Sequence, residues 1–362
     1  MARFLRTLST RRLLAGVTGI IVFGATCAAV AVAAVGSGPI APVAPLANAL
    51  HTALSGKPVT AMSADVTFTN NLFTGSSLGV SDPLINGATG RMWATAGQLR
   101  IELQSSNGDS QIVVHGTRFW VYDPSSNTVY EGTLPQSQTS DGANGSSAIG
   151  GSSGAAVPTV AQIQAGLKRM SKQVTVSTPT PTDIGGQPAY SLTLTPRSKT
   201  GLLDAVRLGF DANHAVPLDF ALLARGASTP ALELRASNVS YGAVSPAVFA
   251  ISPPAGAHVV TLSFTSAKSS STGPLASGTG KPELVGKGLG SIVVVKHAAS
   301  AAHSGSGLAG GLPLQSVKIN GVTGRQIPTS LGTILTFTRN GTSYLLAGSV
   351  TAARIDAVAR GL

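Results

Sequence analysis

Between Met62 and Gly132 the chain alternates apolar and polar residues and rarely runs ten positions without a turn former. Met62, Ala64, Val66 and Phe68 interleave with Asp65, Thr67 and Thr69, the pattern of a strand with one polar face. Further strands are expected at 90–95, 98–104, 110–115, 118–123 and 128–132. Their connections are Ala96-Gly97, Asn107-Gly108-Asp109, His115-Gly116 and Pro124-Ser125-Ser126-Asn127. Turns this short join only antiparallel neighbours, because a parallel pair needs a long crossover. The feature therefore excludes a doubly wound parallel sheet and dictates a meander.

The pattern returns after an insert. Residues 136–156 are Ser/Gly-rich and read as a flexible loop. Residues 158–172 read as a helix, with Val160, Ile163, Leu167 and Met170 on one stripe. Strands are expected again at 173–177, 189–196, 206–211, 218–224 and 231–239. About ten antiparallel strands with an inserted helix can curl around a hollow. The expected class is mainly β with helices (α+β): a curled antiparallel half-barrel closed by helices. A Ser/Gly-rich linker, 263–285, precedes a small C-terminal unit, 286–362. There, strands are expected at 291–295, 317–319, 333–339 and 343–347, with Asn340-Gly341 as a hairpin turn and a helix capped by Thr351.

The N-terminus reads differently. Arg3, Arg6, Arg11 and Arg12 precede Leu13 to Val35, 23 residues without a charge. As a helix that run reaches about 34 Å, enough for a bilayer core of about 30 Å. Arginines stay cytoplasmic, so the rest is expected outside the cytoplasm. The run exceeds the apolar length of a cleaved signal, so residues 1–35 read as an uncleaved signal anchor; cleavage near Ala29-Val30-Ala31 would make the protein secreted. Residues 36–47, with Pro39, Pro42 and Pro45, read as a spacer lifting the next domain, 48–262, off the membrane. The single cysteine, Cys27, lies inside the apolar run, which rules out an intrachain disulfide.

Net charge is +11, unevenly placed. Residues 36–236 hold twelve bases and twelve acids, whereas 237–362 hold nine bases against two acids. Those bases are scattered singly and lack interleaved aromatics, which speaks against a nucleic-acid reader. Attraction to an anionic membrane surface or simple solubility accounts for them.

The segment Arg118 to Gly132 holds a Phe, a Trp and two Tyr in a chain that is only 5% aromatic. Its first half is apolar on both faces, as suits a strand between a packed helix and a hollow, or a strand that is simply core. The run Phe119-Trp120-Val121-Tyr122-Asp123-Pro124 with Val129 resembles the strand–turn–strand of LolA-like carriers. Met62 to Thr69, Gly90 to Thr95, Leu99-Arg100-Ile101-Glu102, Gly186-Gln187-Pro188-Ala189-Tyr190, Val216-Pro217-Leu218 and Leu232-Glu233-Leu234 extend the resemblance over roughly residues 48 to 260. It implies an incomplete antiparallel barrel around a hydrophobic cavity. That superfamily spans carriers of lipoprotein acyl chains, RseB/MucB envelope-stress regulators and mycobacterial glycolipid-binding lipoproteins. The second unit, with Gly324-Arg325, Phe337, Gly341 and Leu345-Leu346-Ala347-Gly348, resembles C-terminal pieces of membrane-tethered, LolA-like actinobacterial proteins.

The expected function is therefore an extracytoplasmic, membrane-tethered protein that holds lipid or lipoprotein acyl chains. Phe68, Trp93, Leu99, Ile101, Trp120, Tyr122, Phe210 and Phe220 are the expected cavity lining, chosen for apolar size at strand positions. Alternatives are a regulatory module binding an anti-sigma factor or another envelope protein, and a ligand-free structural protein of the envelope. No cofactor, metal or catalytic residue is expected. The six histidines show no metal spacing. Gly150-Gly151-Ser152-Ser153-Gly154 matches G-x-S-x-G but lacks the flanking strand and helix that make it a nucleophile elbow. Asp123-Pro124 reads as the opening of a turn rather than as a base.

Overall fold

The computed structural model describes residues 38–73, 83–106, 108–134, 157–262, 283–298 and 314–362. The expected anchor 1–35, loop 136–156 and nearly all of linker 263–285 lie outside them, as does the G-x-S-x-G stretch.

The meander forms as its turns dictate. Strands β1 (Ala61–Asn70), β2 (Ala88–Thr95), β3 (Gln98–Leu103), β4 (Ser110–His115), β5 (Arg118–Asp123) and β6 (Thr128–Thr133) pair in sequence order. A second set follows: β7 (Val174–Val176), β8 (Thr180–Ile184), β9 (Gln187–Pro196), β10 (Leu203–Asp211), β11 (Pro217–Ala224) and β12 (Pro230–Tyr241). Strand β12 pairs antiparallel with β1 and fuses the two sets. The last strand, β13 (His258–Leu262), returns to pair parallel with β6. The result is one curled, open sheet of 13 strands in the order β13-β6-β5-β4-β3-β2-β1-β12-β11-β10-β9-β7, with β8 also on β9.

Two strands of this sheet escaped the sequence pattern, as did Glu283–Val285 and Val322–Thr329 in the C-terminal unit. Strand β8 reads Thr-Pro-Thr-Asp-Ile, with Pro181 and Asp183 against strand propensity, and it sits at the sheet's edge, where a missing N–H is tolerated. Strand β13 follows a Pro/Gly-rich stretch and is parallel, which no short turn could announce.

Helices α1 (Leu46–Ser55), α2 (Pro83–Asn86) and α3 (Val160–Met170) accompany the sheet. Helix α1 lays Ala49 and Ala53 on Tyr190, Leu192 and Phe210 of β9 and β10. Its small residues allow close approach, and the Tyr190 and Phe210 rings meet 5.6 Å apart beneath it. Helix α3 starts with a full capping box: Thr159 accepts from the Gln162 N–H, and the Gln162 side chain accepts from the Thr159 N–H.

The Pro-rich segment ahead of α1 is not free of the domain. Ala41 is buried, and the Tyr190 hydroxyl donates to the Pro42 carbonyl at 2.6 Å. The expected spacer is thus seated on the domain from Ala41 onward.

A second sheet of six strands runs β14 (Glu283–Val285), β15 (Ile292–Ala298), β19 (Thr342–Gly348), β18 (Gly332–Arg339), β17 (Val322–Thr329) and β16 (Gln315–Ile319). Helix α4 (Ala352–Arg360) buries Ile355 and Ala359 against Ile292, Val294, Leu335, Phe337 and Leu346. Thr351 stands at its N-cap in extended backbone but makes no side-chain cap bond, contrary to expectation. The two sheets touch through loops. The Leu202 N–H donates to the Ser349 carbonyl at 3.0 Å, the Ser330 N–H to the Leu72 carbonyl at 2.8 Å, and Leu331 packs on the core of the large sheet.

Candidate functional site

Strand register sorts the large sheet into two faces. Cα partners run Leu192–Leu208–Phe220–Leu234–Phe68–Ala88 across six strands, and Ala64–Met92–Ile101–Ile112–Val121–Tyr130 across the other half. Side chains opposite one another in a sheet share a face, so one apolar face spans the sheet almost end to end. It is the face on which α1 lies, and we call it the inner face.

The inner face is not evenly covered. Phe68, Leu99, Ile101, Leu103, Ile112, Val114, Phe119 and Val121 are buried in the main core. By contrast Val206 and Leu208 on β10, Phe220 and Leu222 on β11, Leu234 on β12 and Met92 on β2 are only half-buried. Leu46 and Leu50 of α1 are half-buried as well. Helix α3 packs on α1, with the His51 Nδ1 within 2.9 Å of the Pro158 carbonyl at its start. Yet not one of its residues is buried, although Val160, Ile163, Leu167 and Met170 form an apolar stripe. Apolar surface therefore remains open on the middle of the inner face and on α3, which packs on α1.

The opposite face carries Ser63–Trp93–Arg100–Val113–Trp120–Glu131 and Asp65–Arg91–Glu102–Gln111–Tyr122–Val129. It is mixed in polarity and crossed by a strap. Arg100 stands 5.3 Å over the Trp93 ring, donates to the Val248 carbonyl at 3.0 Å and pairs with Glu102. His115 Nε2 lies 3.1 Å from the Phe249 carbonyl, and Phe249 is buried.

The expected lining residues are thus divided. Phe68, Leu99 and Ile101 lie on the inner face within the main core, and Phe210 lies beneath α1. Phe220 lies on the inner face half-open. Trp93, Trp120 and Tyr122 lie on the opposite face. Aromatic size marked these three, but parity decides: each stands one position from an inner-face neighbour, Met92 or Val121. Apart from Phe220 the open patch is aliphatic, and Leu208, Leu222 and Leu234 were readable as strand positions without the bulk that attracts attention.

Beyond the open patch, the same strands carry a charged cluster on the opposite face. Asp219 is 2% exposed and bonds to Arg207 Nε at 3.1 Å and Arg235 at 3.2 Å, while Arg207 also binds Glu233. Gly209 allows this burial, since a Cβ there would collide with Ile184 and Asp219. Burial raises the Glu233 pKa, the Asp219 charge raises it further, and the two arginines pull it back. Asp211 is fully buried. It accepts from the N–H groups of Asn213 and His214, which closes the β10–β11 turn, and from the Tyr241 hydroxyl at 2.8 Å. The His214 ring stands edge-on to Tyr241.

Neither cluster assembles a nucleophile, a base and an orienter. Asp123 is spent on its own turn, accepting from the Ser125 N–H and the Ser125 and Ser126 hydroxyls. Among the described residues no group of three His, Cys, Asp or Glu side chains could hold a metal ion, and no helix is long and apolar enough to cross a membrane.

No family model matches the chain, and no curated protein matches it. Solved structures do. The MucA/MucB complex of Pseudomonas aeruginosa aligns over 86% of this chain and 96% of that one, at 13% identity and a TM-score of 0.41. A putative outer membrane lipoprotein-sorting protein domain from Vibrio parahaemolyticus aligns over 56% and 94%, at 11% identity and a TM-score of 0.23. A LolA superfamily protein from Nitrosomonas europaea aligns over 84% and 90%, at 10% identity and a TM-score of 0.20. The chain is similar to members of the LolA-like and MucB-like groups that its motifs resemble.

Proposed function

We propose that this chain is an extracytoplasmic binding protein, tethered by residues 1–35, that holds an acyl chain against the inner face of its large sheet. The carrying observation is the half-buried apolar patch of Val206, Leu208, Phe220, Leu222 and Leu234 on the face that carries α1, together with α3, packed on α1, whose apolar stripe has no buried residue. Open apolar surface of this kind, framed by secondary structure rather than scattered, marks a binding groove. The patch offers no cation and no hydrogen-bonding cluster, so it suits a hydrocarbon. Each methylene removed from water there contributes about 0.8 kcal/mol, so a long chain binds firmly without polar contacts. The bound group is held rather than transformed.

Photo-crosslinking tests this with the full chain in membranes. A diazirine-bearing fatty acid is expected to label peptides spanning β10 to β12. The double variant Leu222→Glu/Leu234→Glu is expected to lower labelling roughly tenfold or more, because a carboxylate on the patch must be desolvated. Labelling that ignores this variant, or that falls on β2 and β5 at Trp93 and Trp120, would sink the reading.

A further inference from the structure

The segment before α1 repeats in threes: Pro39-Ile40-Ala41, Pro42-Val43-Ala44, Pro45-Leu46-Ala47. A polyproline II strand has three residues per turn, so such a repeat sorts into three rows. The structure shows the sorting. The alanine row faces the domain over the first two triplets, with Ala41 buried and Ala44 packed on the same core; the third triplet enters α1 at Leu46. The bulky aliphatic row points away over its first two turns: Ile40 is 53% exposed and Val43 90%. The hydroxyl of Tyr190 pins the segment by donating to the Pro42 carbonyl. These two aliphatic side chains are therefore displayed on a fixed edge rather than on a free tail.

We propose that this aliphatic edge docks on the bilayer surface, setting the large sheet directly against the membrane instead of at the end of a spacer. The occupant follows from the chain that precedes it. The strongly apolar run ends at Val35, five residues before Ile40. Fully extended, five residues span at most about 18 Å. With Val35 at the end of a bilayer-spanning segment, Ile40 cannot stand far from the headgroups. Residues 36–47 carry no charge, so contact with the interface desolvates no ion. A soluble partner protein fits less well, because the tether keeps this edge at the membrane. Docking also places α1, the next element, and the open inner face behind it near the source of acyl chains.

The inference rests on the reading of residues 1–35 as a tether, and one experiment separates the two. Full-length chain carrying Cys27→Ser is reconstituted in vesicles of equal parts phosphatidylcholine and phosphatidylglycerol. A spin label is attached through Val43→Cys or, as a distant reference, Ser126→Cys. Val43 is 90% exposed and Ser126 lies half-buried in the turn between β5 and β6, so neither label enters a core. The expected result is that the label at 43 collides more with oxygen than with a water-soluble nickel chelate, while the label at 126 shows the reverse. Ile40→Asp in the Val43→Cys background is expected to shift the label at 43 toward the aqueous pattern. Chain that floats with the vesicles but shows position 43 as aqueous as position 126 overturns the docking and leaves the tether standing. Chain that fails to float overturns both.

Discussion

At the residue scale, Asp211 is a buried carboxylate whose two oxygens both find donors. Asp211 and Tyr241 meet where the β10–β11 turn passes the end of β12, so one hydrogen bond ties three strands. Burial raises the Tyr241 pKa well above the ordinary phenol range, and the Asp211 carboxylate, which accepts its proton, raises it further. The sign of the pH effect follows. A raised folded pKa contributes stability that is fully present below the unfolded value, about 10, and is lost as pH rises above it. Tyr241→Phe is expected to cost about 1–2 kcal/mol near neutral pH through the lost bond. The cost should shrink above about pH 10, because the variant has no phenol to ionise there. Urea titrations of both proteins at pH 7 and pH 10.5 check this; a gap that stays constant or widens with pH would refute the assignment.

At the scale of elements, α3 is the unusual member. Its capping box specifies its start, and its stripe specifies an amphipathic helix, yet its packing leaves the stripe open. A helix whose apolar face contributes little to the core should tolerate polar substitution there. Ile163→Gln/Leu167→Gln is expected to change unfolding free energy by less than about 1 kcal/mol, against the 2–5 kcal/mol typical when large buried aliphatics are truncated. The same variant is expected to lower acyl photo-labelling several-fold. Large destabilisation with unchanged labelling would make α3 a core element instead of a wall of the groove. This helix was legible in the sequence because its period is strong and its cap is local. The two meanders were legible for the same reason, since Gly and Asn turns fix antiparallel neighbours at short range. Strands β8 and β13 were not, because an edge strand carrying Pro181 and a parallel return strand depend on distant partners. The site was half legible. Alternation gave Phe220 and Phe68 strand positions, but nothing local says which parity of β2 and β5 meets a helix. Trp93, Trp120 and Tyr122 therefore stood out by size, and they lie on the face opposite Leu222 and Leu234.

At the scale of the whole molecule, the described residues of the two sheets meet through backbone and hydroxyl hydrogen bonds and through Leu331, which packs on the main core. Ser330 donates through its N–H to the Leu72 carbonyl and through its hydroxyl to the Asn71 carbonyl at 3.2 Å, and Leu331 beside it packs on the main core. The turn between β17 and β18 thus reaches the end of β1, one strand from the open patch on β12. On the far side Leu202 binds Ser349 through both its carbonyl and its hydroxyl, and the Gly290 N–H donates to Thr200. Exposed hydrogen bonds contribute about 1 kcal/mol each at most, so Leu331 supplies the apolar part of the contact. Leu331→Asp places a carboxylate on that core and should free the C-terminal sheet without unfolding it, since its own core of Ile292, Leu335, Leu346 and Ile355 is untouched. The expected outcome is a larger radius of gyration by small-angle scattering and faster proteolysis between the two sheets, with strand content by circular dichroism unchanged. An unchanged radius and unchanged cleavage would show that the backbone bonds at Ser330 and Ser349 hold the sheets together without it.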